Sequence, residues 1–156
     1  MERRYHVFEE YEVSNVTELK KKFSVVEMPL IWVIHDELAL WMLDSDYSSQ
    51  ITQAVNQLAV AARAAGIFLL FGAQRPDNTV IPMQLRSNLG NRLVLKVDGE
   101  GTSDIALSEK GAEKLLGKGH MLAKLEGEYN TIFAQVPFAN EDQLDFLVSE
   151  IAKKTY

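Results

Sequence analysis

A chain of 156 residues with 47% apolar and 24% charged side chains has the balance of a folded domain able to bury a real core. Its net charge of -6, from 22 acidic and 16 basic residues, argues against a stand-alone basic nucleic-acid binder, while leaving room for a local basic patch in an assembly. The absence of cysteine excludes disulfides, thiol chemistry and cysteine-ligated metals. No apolar run approaches the roughly eighteen residues of a membrane span, so the expected compartment is cytoplasmic, with membrane association through a segment outside this chain left open.

Residues 1–13 read as a helix, with Tyr5, Phe8 and Tyr11 at three-residue spacing and glutamates filling the remainder. Asn15 or Thr17 caps a second short helix over 18–23, whose Lys20-Lys21-Lys22 run is a solvated face. The five apolar residues 30–34 follow Pro29 and predict a strand buried on both faces, as inside a parallel sheet. Asp36 and Glu37 then stand at the carboxyl end of that strand, the edge where open α/β sheets place their ligands. That position suits an Asp holding magnesium beside a Glu that polarises a water; a solvated turn or a helix cap is the plainer alternative.

A helical turn is expected over 38–43. A longer helix follows, with its stripe at Ile51, Val55, Leu58, Ala59, Ala62 and Ala65 and its stop at Gly66. Arg63 is the only charge in its second half; it either favours the helix dipole or reaches a phosphate or a neighbouring subunit. Residues 67–71 form a second continuous apolar run. Strand, helix, strand is the crossover unit of a parallel pair, and it brings Gln74 and Arg75 to the same sheet edge as Asp36 and Glu37. Gln74 can orient water or sense a terminal phosphate, or simply bond the neighbouring strand, and Arg75 lies close enough to share the site. A short helix over 81–89 leads to a third strand over 91–97. Arg75, Arg86 and Arg92 make the segment between them basic, with only Asp77 opposing.

In the last third, Thr102 caps a helix over 104–107 and residues 108–116 give another, ended by Gly117. A strand over 121–125 turns at Glu126-Gly127-Glu128 into a second over 129–136. Asn140 caps a closing helix whose buried stripe is Leu144, Leu147, Val148 and Ile151. His6, His35 and His120 are scattered without ligand spacing.

Four separated motifs then stand in order: Asp36-Glu37, Ala61-Ala62-Arg63-Ala64-Ala65-Gly66, Gly72-Ala73-Gln74-Arg75-Pro76 and Gly111-Ala112-Glu113-Lys114-Leu115-Leu116-Gly117-Lys118-Gly119. In these the chain resembles the FtsK/SpoIIIE family of DNA-translocating ATPases, over the second half of the family's motor core only. The resemblance implies an α/β fold: a partial P-loop NTPase (RecA-like) core, mainly parallel sheet flanked by helices, with a C-terminal β hairpin, formed by residues 1–156 as a single domain. The strands at 30–34, 67–71 and 92–97 are expected to be parallel. It further implies that Asp36 is the Walker B aspartate and magnesium ligand, that Glu37 is the catalytic glutamate, and that Gln74 senses phosphate. Arg63 becomes a trans-acting arginine completing a neighbour's site, and Arg86 and Arg92 become candidate contacts to double-stranded DNA within a homo-hexameric ring.

No Gly-x-x-x-x-Gly-Lys-Ser/Thr loop occurs in the sequence, so nothing in it cradles the β- and γ-phosphates. ATP and Mg2+ are therefore expected for the intact parent and not for this chain alone. His35 and Trp32 depart from the family pattern. An absent half should leave an apolar sheet face uncovered, so the isolated chain is expected to be a monomer or a non-native dimer through that face. Two further readings stay open: a degenerate ATPase-like interaction or regulatory module, and an independent hydrolase using Asp36 and Glu37 on another substrate.

Overall fold

A computed structural model describes residues 1–155. The chain divides into two compact units, one from Met1 to Arg92 and one beginning at Leu93. The N-terminal unit opens with α1 (Glu2–Glu10), which is shorter than its aromatic spacing suggested because the chain turns at Glu12, with φ +50°. Phe8 is buried with the Tyr5 ring edge-on at 5.6 Å. Arg4 donates to the Ala65 and Pro29 carbonyls, and the Tyr5 hydroxyl donates to the Ala61 carbonyl. Helix α2 (Val16–Lys22) is capped by Asn15, whose Oδ1 accepts the Glu18 N–H at 2.9 Å, and its three lysines complement the C-terminal dipole.

Strands β1 (Ile31–His35) and β2 (Ile67–Phe71) pair in parallel, from Ile31 opposite Ile67 to His35 opposite Phe71. The crossover between them carries α3 (Ala39–Met42) and α4 (Ser48–Ala61). Gly66, at φ +69°, makes the turn from α4 into β2. Two apolar clusters line one face of this ribbon. The first joins Phe8, Val16, Leu19, Met28, Ala62 and Ile67, with Val33 against it. The second joins Leu38, Met42, Val55, Val80 and Leu85, the last from α5 (Met83–Asn88), with Leu69 and Phe71 against it.

The expected burial of both sheet faces does not hold. Trp32, Ile34 and Leu70 are 60%, 66% and 51% exposed, and Trp32 stacks on Phe68 at 4.8 Å. Side chains alternate across a strand, so an unbroken apolar run fills both faces while the helices of this unit cover only one. The uncovered apolar face was expected.

The C-terminal unit corrects the sheet. The third strand, β3 (Arg92–Leu95), does not extend the parallel pair. It belongs to a separate three-stranded sheet in the order β3-β4-β5, with β4 (His120–Lys124) and β5 (Ile132–Gln135). The β4–β5 ladder is antiparallel, with His120 opposite Gln135, so the C-terminal hairpin is present. The sheet content is thus divided between a parallel pair and a second sheet, not mainly one parallel sheet. The cause is a private core: Val94 packs with Leu107 of α6 (Glu100–Leu107), Ala112 and Leu115, while Leu93 and Leu95 face outward.

Thr102 sits inside α6 rather than capping it, its hydroxyl donating to Asp98 at 2.7 Å. The helix expected over 108–116 shrinks to one 3-10 turn at Ala112–Lys114. Gly111, at φ +137°, breaks it. Fully buried Ser103 holds the segment instead: its hydroxyl donates to the Glu109 carbonyl and accepts the Ala112 N–H.

The Gly111 N–H, donated to the Glu113 carboxylate at 2.8 Å, holds Glu113 below the usual value of 4.5. A depressed carboxylate contributes stability that is present above its unfolded value and lost as pH falls through its folded one. Thermal melts should therefore show a destabilising acid limb below about pH 4.5 that is smaller in Glu113→Gln.

Helix α7 (Glu141–Thr155) starts at the expected cap. Asn140 Oδ1 accepts the Gln143 N–H and Gln143 Oε1 accepts the Asn140 N–H, a reciprocal capping box. Its stripe is not buried: Leu144, Leu147, Val148 and Ile151 are all exposed. Helical periodicity shows that these residues share a face, not that anything covers it. Among the described residues no helix is long and apolar enough to cross a membrane.

Candidate nucleotide site

The site is built where β1 and β2 end. After His35 the chain must leave the sheet beside β2, and the two exits are stitched together. The Gly72 N–H donates to the His35 carbonyl and the Leu38 N–H donates to the Gly72 carbonyl, both at 2.8 Å. Gly72 is required here by proximity: a Cβ on it would lie 2.2 Å from the Asp36 carbonyl oxygen. The strand exits therefore run closer than any side-chain-bearing residue permits.

Glu37 spans this junction. Its Oε1 accepts the Ala39 N–H at 3.1 Å, anchoring the start of α3. Its Oε2 accepts the Gln74 N–H at 3.1 Å, reaching the loop after β2. The Glu37 N–H in turn donates to His35 Nδ1 at 3.2 Å, and the His35 ring meets Trp41 edge-on with centroids 3.5 Å apart. Asp36 is exposed at the turn, and Gln74 and Arg75 are exposed in the facing loop. Asp36, Glu37, Gln74 and Arg75 are thus at one sheet edge.

Arg63 is not among them. It follows α4 and precedes Gly66, whose carbonyl accepts the Ile31 N–H at the opposite end of the ribbon. A five-residue strand separates it from the acidic turn by about 17 Å. Within one chain it does not serve that turn.

Arg86 and Arg92 lie on and after α5. Arg86 Nη2 donates to Asn78 Oδ1 at 2.9 Å. Arg92 Nε donates to the Leu89 carbonyl and its Nη2 to the Arg86 carbonyl, so it closes the C-terminal end of α5. Partial burial, and then the Arg86 charge, lower the Arg92 pKa. Nearby, Ser48, Ser49, Thr52, Gln53, Asn56 and Gln84 help line a groove of about 570 Å³.

Among the described residues no three His, Asp or Glu side chains gather to hold a metal ion. One exposed aspartate nevertheless suits Mg2+, which is commonly bound through one or two carboxylates with water and substrate phosphates completing the octahedron. The sequence reading brought Asp36, Glu37, Gln74 and Arg75 to this edge but gave no role to Gly72 or His35 as their supports. The signal for Gly72 was a glycine directly after an apolar strand, where a close backbone approach is a standing possibility.

No protein-family model matches the chain. It is 36% identical over 160 residues to DNA translocase FtsK of Lactococcus lactis subsp. lactis, covering 97% of this chain and 21% of that protein. With DNA translocase FtsK of Clostridium tetani the identity is 37% over 158 residues, covering 99% and 21%. The chain therefore spans about a fifth of the length of the curated relatives it matches. Among solved structures, the pCW3 conjugation coupling protein TcpA, in its monomer form with ATPγS, superposes with a TM-score of 0.84 at 31% identity, covering 99% of this chain and 45% of that one. The cytoplasmic domain of the Thermomonospora curvata type VII secretion ATPase EccC shares the fold at a TM-score of 0.71 and 20% identity, covering 96% and 18%. The chain is thus similar, over nearly its whole length, to one stretch of DNA translocase FtsK, and its mixed α/β fold resembles that of these two solved structures.

Proposed function

We propose that this chain is the second half of the motor domain of an ATP-driven, double-stranded DNA translocase. The observation that carries the reading is the junction at the strand exits, where an exposed Asp36 stands beside a Glu37 whose carboxylate accepts the Gln74 N–H. In the intact motor Asp36 would hold Mg2+, Glu37 would polarise the attacking water and Gln74 would sense the terminal phosphate, with Arg75 beside it. The bound ion supplies charge neutralisation at the phosphates; this chain supplies the carboxylates and the loop that faces them. Arg63, far from its own acidic turn, acts on the site of a neighbouring copy in a hexameric ring. Arg86 and Arg92 are the candidate contacts to DNA phosphates in that ring, Arg92 only if its guanidinium leaves the Leu89 and Arg86 carbonyls.

A regulatory module that does not hydrolyse ATP is the second reading. It is favoured by Glu37, both of whose carboxylate oxygens are occupied by backbone N–H groups.

Calorimetry of the 156-residue chain with Mg2+ and a non-hydrolysable ATP analogue should show no binding. The same reading frame extended upstream through a phosphate-binding loop should hydrolyse ATP, and Glu37→Gln should slow it about 10²- to 10⁴-fold. Micromolar binding of one nucleotide by the short chain would overturn the proposal. An upstream sequence without a phosphate-binding loop would favour the regulatory module.

A further inference from the structure

We propose that His35 is the positioning residue of the acidic turn: its imidazole Nδ1, accepting the Glu37 N–H, sets the turn from which Glu37 reaches across to Gln74. The role rests on the reading of Asp36 and Glu37 above.

Three observations converge on it. The bond from the Glu37 N–H to His35 Nδ1 is 3.2 Å long and joins residues two apart. A side-chain acceptor facing the N–H two residues on is the arrangement by which Asn and Asp fix turns. The imidazole also cannot swing freely, because its ring meets the Trp41 indole edge-on at 3.5 Å, with α3 carrying that indole. Finally, the turn it fixes is the one whose carboxylate leaves for another part of the chain, with Glu37 Oε2 on the Gln74 N–H and Oε1 on the Ala39 N–H.

The contacts therefore run in series: the Trp41 ring seats His35, His35 Nδ1 holds the Glu37 N–H, and the Glu37 carboxylate holds the Gln74 N–H. An accepting Nδ1 carries no proton, which places the proton of the neutral ring on Nε2. An apolar residue at this position keeps the strand but leaves the Glu37 N–H to water. The turn then samples other conformations, and Glu37 no longer meets the second loop in one orientation. Pre-set geometry of this kind is what a water-polarising carboxylate requires, since its orientation must exist before substrate arrives.

The test uses the 156-residue chain and amide hydrogen exchange read by NMR. In His35→Leu the Glu37 amide should exchange roughly three- to tenfold faster, the scale of one lost hydrogen bond. The Gln74 amide should accelerate with it, while the Leu38 and Gly72 amides, which bond within the strand exits, keep their rates. His35→Asn, which offers an oxygen acceptor to the same N–H, should return both accelerated amides to within about threefold of the parent. In the parent at pH 8, imidazole ¹⁵N shifts should show the proton on Nε2. Unchanged Glu37 exchange in His35→Leu would overturn the proposal, as would acceleration of Glu37 without Gln74, failure of His35→Asn to rescue, or a proton on Nδ1. The parent measurement stands even if the leucine variant does not fold. Line broadening of the Asp36 amide by Mn2+ alone tests the cation reading separately: its absence counts against Asp36 as a magnesium ligand, while the exchange result still decides the role of His35.

Discussion

Gly72→Ala should destabilise the N-terminal unit by about 3 kcal/mol or more, beyond the ordinary range for adding one methyl group. The added Cβ lies 2.2 Å from the Asp36 carbonyl oxygen, and the obstacle is backbone rather than the end of a flexible side chain. Relief requires the exits of β1 and β2 to part. Parting removes the two 2.8 Å bonds that join His35, Gly72 and Leu38, and with them the approach of Glu37 to Gln74. Urea denaturation followed by Trp32 and Trp41 fluorescence measures the effect. A midpoint equal to that of the parent would show that the junction yields without cost. Gly99→Ala is the control, since a Cβ there meets nothing within 4 Å.

The second large effect concerns association. The outward face of the β1–β2 ribbon presents Trp32, Ile34, Phe68 and Leu70 side by side in register, three of them more than half exposed. Contiguous apolar surface of this kind promotes self-association, and β1 and β2 add unpaired outer edges. The isolated chain should sediment as a dimer or larger species at about 100 μM, since interfaces of modest apolar area hold in the micromolar range. Converting Trp32, Ile34 and Leu70 together to threonine, itself a β-branched strand former, should give a monomer. A parent that sediments as a monomer at that concentration would show that the face is tolerated in water.

Much of this organisation was legible in the residues. Two unbroken apolar runs separated by a helical stripe and a stop glycine specify a parallel pair, and the structure has it from Ile31 to Phe71. The same logic brought Asp36, Glu37, Gln74 and Arg75 to one edge, because residues following parallel strands must leave on the same side. The sequence reading failed where a local pattern had to report on a partner. Arg92-Leu93-Val94-Leu95 reads as a strand in either sheet, and only the cluster of Val94 with Leu107 and Ala112 decides between them. The stripe of α7 and the outward face of β1 are apolar, yet both are exposed. Residues 108–116 contain good helix formers, but Gly111 and the two bonds of buried Ser103 impose another path. At the strand exits the polar side chains were visible and the contacts that hold them were not. Gly72 is needed for a distance, and His35 for a lone pair, and neither requirement leaves a periodic trace.

The β1–β2 and β4–β5 ladders also differ in how far along the chain their partners lie, and this bears on the order in which they form. The β4–β5 ladder joins neighbours across a short turn, and α6 packs with the segment that follows it. The β1–β2 pair must first close the whole crossover that carries α3 and α4, because Ile31 waits for Ile67. Closing a longer loop costs more chain entropy before any contact offsets it, so pairings distant in sequence form more slowly. The β4–β5 hairpin can therefore form before the β1–β2 pair closes. Through that interval the apolar residues of both N-terminal strands stay open to solvent, which makes the crossover the step at which misassembly competes with folding.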